Sequence, residues 1–171
     1  MRVIATPRLL LEPQIAAHAD EMFRVLGDPA IYEYENEPPA SAEWLRERYT
    51  KLETRRSRDG REEWLNWVVR LRSSGLIGYV QATVDATGHA SIAYVLSSAH
   101  WGRGFAHEAV AGMIAELAER HRVRRLSAVF KTANHRSRRL LERLGFSPVP
   151  QGTPGAIELE PDESRMVRIV A

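Results

Sequence analysis

The chain of 171 residues has no cysteine. That absence excludes a disulfide framework, a thiolate metal site and any covalent cysteine mechanism. No metal is expected, and a reducing cytoplasm is the default compartment. Lysine is nearly absent: Lys51 and Lys131 are the two examples, so arginine supplies the other 22 of the 24 basic residues. Such a skew is more readily a trait of the genome than of a function. No stretch approaches the roughly 20 consecutive apolar residues that span a bilayer. Residues Met1 to Pro7 lack the apolar core of a signal peptide, so no membrane partner is expected. One-signed charge is missing too, since 22 acidic residues leave a net charge of only +2. The one dense basic run, Arg120 to Arg125, falls where a helix is predicted to end, and cations suit a helix C-terminus anyway. A nucleic-acid partner is therefore not expected.

What is present fits one soluble domain spanning residues 1–171, because that length makes one well-buried core and not two comfortable ones. Thr6 to Pro13 reads as a first strand bounded by prolines. Ile15, Ala19, Met22, Phe23 and Leu26 recur at helical spacing up to Gly27-Asp28-Pro29. A Tyr- and Glu-rich loop runs from Ile31 to Pro39, and Ser41 opens a second helix reaching toward Arg56. Trp64–Leu71, Leu76–Val84 and His89–Leu96 alternate as three strands joined by short glycine-containing turns, which predicts an antiparallel meander. Beyond it, Ala109, Val110, Met113, Ile114, Leu117 and Ala118 make one apolar helical stripe. Leu126, Ala128 and Phe130 then alternate as a strand, and Asn134 starts a helix that Gly145 stops. Two tail strands are predicted, Ala156–Glu160 and Ser164–Val170. The expected fold is α/β of the α+β type: a mixed, mostly antiparallel twisted sheet of about six to seven strands, flanked by about four helices.

The stretch that carries chemistry is Ala90 to Glu119. A strand runs through Tyr94, Val95 and Leu96, then Trp101-Gly102-Arg103-Gly104-Phe105-Ala106 leads straight into a helix. The first turn of a helix has amides without helical acceptors, and the macrodipole adds positive character there. Gly102 and Gly104 remove the Cβ atoms that would keep an anion off the backbone, while Arg103 and His107 can add donors. A pyrophosphate cradle over about residues 102–107 follows. A nicotinamide cofactor is the obvious alternative, but it needs a carboxylate some twenty residues on. That region reads Arg120-His121-Arg122-Val123-Arg124-Arg125, without an acid.

Taken together with Asn134-x-x-Ser137 and Leu144-Gly145-Phe146, the glycine turn resembles that of the GNAT superfamily of acyl-CoA N-acyltransferases. Thr6-Pro7-Arg8-Leu9-Leu10-Leu11 and Asp28-Pro29 narrow the resemblance to the branch of ribosomal-protein N-terminal alanine acetyltransferases. It covers about residues 6–147. The resemblance implies acetyl-CoA as cosubstrate. Tyr94, Val95 and Leu96 would offer their backbone to the pantetheine arm, and the amides of Gly102, Arg103, Gly104, Phe105, Ala106 and His107 would hold the pyrophosphate. Asn134 would bond the pantetheine, as well as capping its helix. Many superfamily members place a tyrosine seven residues after this asparagine to protonate the departing thiolate. Here that position is Leu141, and in the resembling branch a serine at the position of Ser137 takes the role, so both Asn134 and Ser137 count as cofactor contacts.

The implied reaction is direct attack of a primary amine on the thioester, yielding an N-acetylated protein or peptide N-terminus, or a small amine. Glu33, Glu35, Asp85, His89 and Glu158 are candidate bases, and of these His89 alone titrates naturally near neutrality. Glu33, Glu35 and Glu37, interleaved with Tyr32 and Tyr34, lie where the superfamily builds its acceptor pocket and would suit a cationic amine such as a polyamine or an aminoglycoside-like antibiotic. A non-catalytic acyl-CoA sensor is the competing class, and a homodimer stays open.

Overall fold

The computed structural model describes residues 1–34, 36–149 and 159–170. Its elements in chain order are β1 (Ile4–Ala5), β2 (Leu9–Pro13), α1 (Ala19–Val25), α2 (Ala42–Leu52), β3 (Glu62–Leu71), β4 (Gly75–Asp85), β5 (His89–Leu96), α3 (Phe105–His121), β6 (Arg125–Lys131), α4 (His135–Arg143), β7 (Ser147–Pro148) and β8 (Glu163–Ile169). All eight strands form one sheet in the order β1-β2-β3-β4-β5-β6-β8-β7. Every pairing is antiparallel except β5 with β6, which the α3 crossover makes parallel.

Strand alternation divides the core in two. Leu65, Trp67 and Val69 of β3, with Ile77, Val80 and Ala82 of β4, face the α3 stripe of Ala109, Val110, Met113, Ile114 and Leu117. Each of the larger side chains among them, fully buried, contributes about 1.5–3 kcal/mol. The opposite face carries Val68, Tyr79 and Val95 toward α1 and α2, where Met22, Leu26, Leu45 and Tyr49 meet them. The central strands are thus clad on both sides, and β5 lies where the two cores adjoin.

Three expectations need adjusting. Among the described residues the sheet has eight strands rather than about six to seven, because β1 and β7 are two-residue strands too short to show a period. The first helix opens as a 3-10 turn at Ala16–His18, and a second such turn, Pro29–Tyr32, runs into the start of the predicted loop. α2 stops at Leu52, short of Arg56: the Thr54 hydroxyl bonds the Lys51 carbonyl and Arg55 turns left-handed at φ +60°. Of the predicted tail strand Ala156–Glu160, residues 156–158 lie outside the described residues, and Leu159 and Glu160 are not in a strand.

Candidate active site

β5 parts early from one of its neighbours. It stays in register with β4 from Ala90 to Leu96, but meets β6 only over His89–Ser91. From Ile92 to Leu96 its β6-facing edge therefore has no strand partner among the described residues. Such an edge accepts an extended, amide-bearing chain as it would another strand. The gap opens into a groove of about 370 Å³, lined by Tyr94, Val95 and Leu96, by Gly102 and Gly104 to His107, and by Asn134, Ser137, Arg139 and Arg143 of the α4 region.

At one end of the groove the chain turns through Gly102 (φ +70°) and Gly104 (φ +78°), left-handed conformations for which glycine is the default. Gly104 caps α3, and the Glu108 amide donates to its carbonyl at 3.1 Å. The amides of Phe105, Ala106 and His107 come before it, with no helical carbonyl behind them. An unlooked-for brace holds the turn. Arg8 donates from Nη1 to the Arg103 carbonyl at 3.0 Å, stacks over the Phe105 ring at 4.5 Å and pairs through Nε with Glu108 at 2.6 Å. Glu108 also accepts from the Thr6 hydroxyl at 2.6 Å and the Arg8 amide at 2.8 Å. Burial works against that carboxylate, yet these bonds hold its pKa below the usual range. Arg103 is the predicted cofactor residue whose side chain does not line the groove; its guanidinium covers Phe105 at 5.1 Å.

α4 supplies the far wall. Asn134 accepts the Ser137 amide with Oδ1 at 3.1 Å, so it is a helix cap, and its side-chain N–H donors remain for a ligand. The Tyr94 hydroxyl reaches the Ser137 carbonyl at 3.4 Å, which puts two hydroxyls, from Tyr94 and Ser137, beside the same groove. Burial raises the Tyr94 pKa to about 12. Leu141 is fully buried in the core and offers the groove nothing. Arg139 and Arg143, one helical turn apart, are cations the sequence reading passed over, although their i, i+4 spacing after Asn134 was visible. Arg136 forms a roof: it stacks over Trp101 at 4.1 Å and meets Glu33 at 2.5 Å, while Trp101 donates to the Leu96 carbonyl at 2.8 Å.

A carboxylate sets the height of the loop after β5. Asp28 accepts from the Ser98 amide at 2.7 Å, the Ala30 amide at 3.0 Å and the Ser97 hydroxyl at 3.4 Å. Burial tends to raise its pKa, but these donors outweigh that and leave it lowered. A lowered folded pKa means that the stabilisation is complete above the unfolded value of about 4 and is lost as pH falls through the folded one. Asp28→Ala should therefore cost about 1–2 kcal/mol at neutral pH, and urea melts should show the gap from wild type closing toward pH 3. A gap that stayed constant would assign the effect to packing.

The remaining candidates are scattered. His89 sits at the opposite end of β5, about 20 Å of strand from Val95, bonded to Ser127 at 2.8 Å and near Asp85 at 3.5 Å. Burial lowers its pKa, and neither cavity includes His89 or Asp85. Glu33 is drawn to Arg136 on the groove side. Glu35 and Glu158 lie outside the described residues. Across Val95 from the groove is a second cavity of about 250 Å³, and Ile31 and Val95 line both. Its walls include Tyr32, Tyr49 and Tyr79, with Trp44, Arg48 and Glu37 also lining it. Tyr32 donates to the Leu26 carbonyl at 2.7 Å, and burial lifts its pKa to about 12.

A sheet split beside a glycine-capped helix, with a cavity on each side of the parting strand, defines a site for an extended, phosphate-bearing ligand and a second reactant. The chain belongs to the GNAT acetyltransferase family, whose domain model matches residues 8–147. Among solved structures it is similar to RimL, the ribosomal L7/L12 alpha-N-protein acetyltransferase in complex with coenzyme A: 16% identity, TM-score 0.81, 98% of each chain covered. It is similar also to the ribosomal-protein-S5-alanine acetyltransferase from Vibrio fischeri, at 17% identity and TM-score 0.79 over 98% of this chain and 96% of that one. A spermidine N-acetyltransferase chimera from Vibrio cholerae and human sequences aligns at 17% identity and TM-score 0.77, over 95% of both. These likenesses establish the fold. No curated protein sequence matches the chain.

Proposed function

We propose that the protein transfers an acetyl group from acetyl-CoA to a primary amine, an α-amino terminus or a small amine, by direct attack in the cytoplasm. The carrying observation is the unpaired β5 edge, Ile92 to Leu96, running into the amides of Phe105 to His107. That edge and those amides fit a pantetheine arm and a pyrophosphate respectively, and Arg139 and Arg143 add cations beside them. Asn134 would hold the arm through its side-chain amide.

The bound cosubstrate supplies an activated thioester. A backbone N–H of Tyr94 to Leu96 would donate to the thioester oxygen as charge develops there, the kind of fixed donor that contributes most to such reactions. The amine would arrive from the second cavity. An α-amine with a pKa near 8 is substantially neutral at working pH and needs little help from a base. Ser137 would protonate the departing thiolate as the C–S bond breaks and take back the proton that the attacking amine must lose, with the Tyr94 hydroxyl next to it.

Thiol release from acetyl-CoA, followed across peptides, polyamines and aminoglycosides, tests the reading. Turnover on some amine is expected, whereas binding of acetyl-CoA without turnover on any would make the protein a sensor. Ser137→Ala should lower kcat about 100-fold or more, with a much smaller loss of coenzyme A affinity. An unchanged kcat would remove Ser137 from the proton path.

A further inference from the structure

The floor of the second cavity is a row of carboxamides. Gln14 follows β2, Asn66 lies on β3 and Gln81 on β4, and all three line that cavity. They are contiguous across the sheet: the backbone N–H of Gln14 donates to the backbone carbonyl of Asn66 at 2.9 Å, and Asn66 is the register partner of Gln81. Gln81 in turn faces Ala93 on β5, two residues before Val95. The row therefore lies about 7 Å along the strand from the backbone offered to the thioester.

Two members of the row are strongly buried, Gln14 at 4% exposure and Asn66 at 6%. The Gln14 Nε2 is buried without a hydrogen-bond partner among the described residues. An unanswered buried polar group costs about 1–3 kcal/mol and calls for an explanation. Packing alone would favour apolar residues here, as it does one row along, where Val68 and Val95 flank Tyr79. Gln81, the half-buried member of the row, brings this polar strip to the cavity, where a ligand's hydrogen-bonding group can meet it.

We propose that Gln14, Asn66 and Gln81 form an acceptor subsite that selects primary amines bearing a hydroxyl near the amino carbon. This rests on the acetyl-transfer reading of the same site. Each carboxamide presents both a donor and an acceptor, so it complements a group that also does both. A methyl in that place leaves the row unpaired. A carboxylate or ammonium answers only half of each carboxamide. An amine held at the Val95 backbone would carry such a group over the row.

Serinamide and its isostere 2-aminobutanamide differ by the hydroxyl alone and form the test pair. Assayed for thiol release at about pH 9, both α-amines are mostly neutral, which removes their basicity from the comparison. Wild-type protein should favour serinamide by at least about tenfold in kcat/KM. In Asn66→Leu and Gln81→Leu that ratio should fall to within about twofold of unity. The isosteric Gln81→Glu covers the case in which the leucine variants fail to fold, and its ratio should fall at least fivefold while coenzyme A affinity and Tm hold. Equal rates on the two amides in wild type, with turnover intact, would overturn the subsite alone. Thiol release on no amine, with coenzyme A still bound, would overturn the acetyl-transfer reading and the subsite with it.

Discussion

Gly102→Ala is expected to weaken coenzyme A binding at least tenfold while leaving the protein folded. Two costs separate cleanly at this position. The left-handed φ of +70° charges an L-residue about 1–2 kcal/mol, which for a chain of this size lowers Tm by a few degrees. Beyond that backbone strain, a Cβ at Gly102 would meet no atom of the protein within 4 Å. Gly102 nevertheless lines the groove, and added bulk would stand where phosphate oxygens approach the main chain. Tenfold in affinity is about 1.4 kcal/mol, a modest demand on a displaced anion. Calorimetric titration and a thermal melt on the same sample read both quantities. A variant that binds as wild type does would remove the turn from the cofactor site.

The second large effect is expected at Gly78, on the other side of β5. A Cβ there would run into the Val95 carbonyl oxygen and come within 2.8 Å of the Leu96 Cα. Those are backbone atoms of a central strand, with no rotamer to swing away. β4 and β5 would have to separate at the point where β5 presents Val95 to the thioester, opposite the register shift between Val69 and Arg70 on β3. Gly78→Ala should cost roughly 3 kcal/mol or more in stability and lower kcat/KM by over about a hundredfold, as small displacements at a reacting centre do. Urea unfolding and thiol release are the measurements. A stable, fully active variant would show that β4 does not set the position of Val95.

The family and most of the residues that line the groove were legible in the sequence because they are local. Gly102, Gly104, Asn134 and Ser137 are fixed by spacing along one segment, and all four line the groove. What sequence could not offer was anything built across the sheet. Arg8 lies 95 residues from the carbonyl it braces, and Gln14, Asn66 and Gln81 meet only through strand register. The early divergence of β5 from β6 is equally silent, since the pattern of β5 does not change at Ser91. The glutamates of the 33–37 loop suggested a pocket for a cationic amine; Glu37 lines the second cavity, whereas Glu33 meets Arg136 at the roof of the groove, and no periodicity announces an ion pair between residues 103 positions apart. His89 stood out for its pKa alone, but strand direction puts it at the end of β5 remote from the glycine turn.

The most direct test is a crystal structure with acetyl-CoA bound. The account predicts both phosphates against the amides of Gly102 to His107, the pantetheine lying along Tyr94 to Leu96, and the thioester oxygen within hydrogen-bond reach of a β5 amide. Phosphates seated elsewhere, or a β5 edge left empty with the ligand bound, would contradict it.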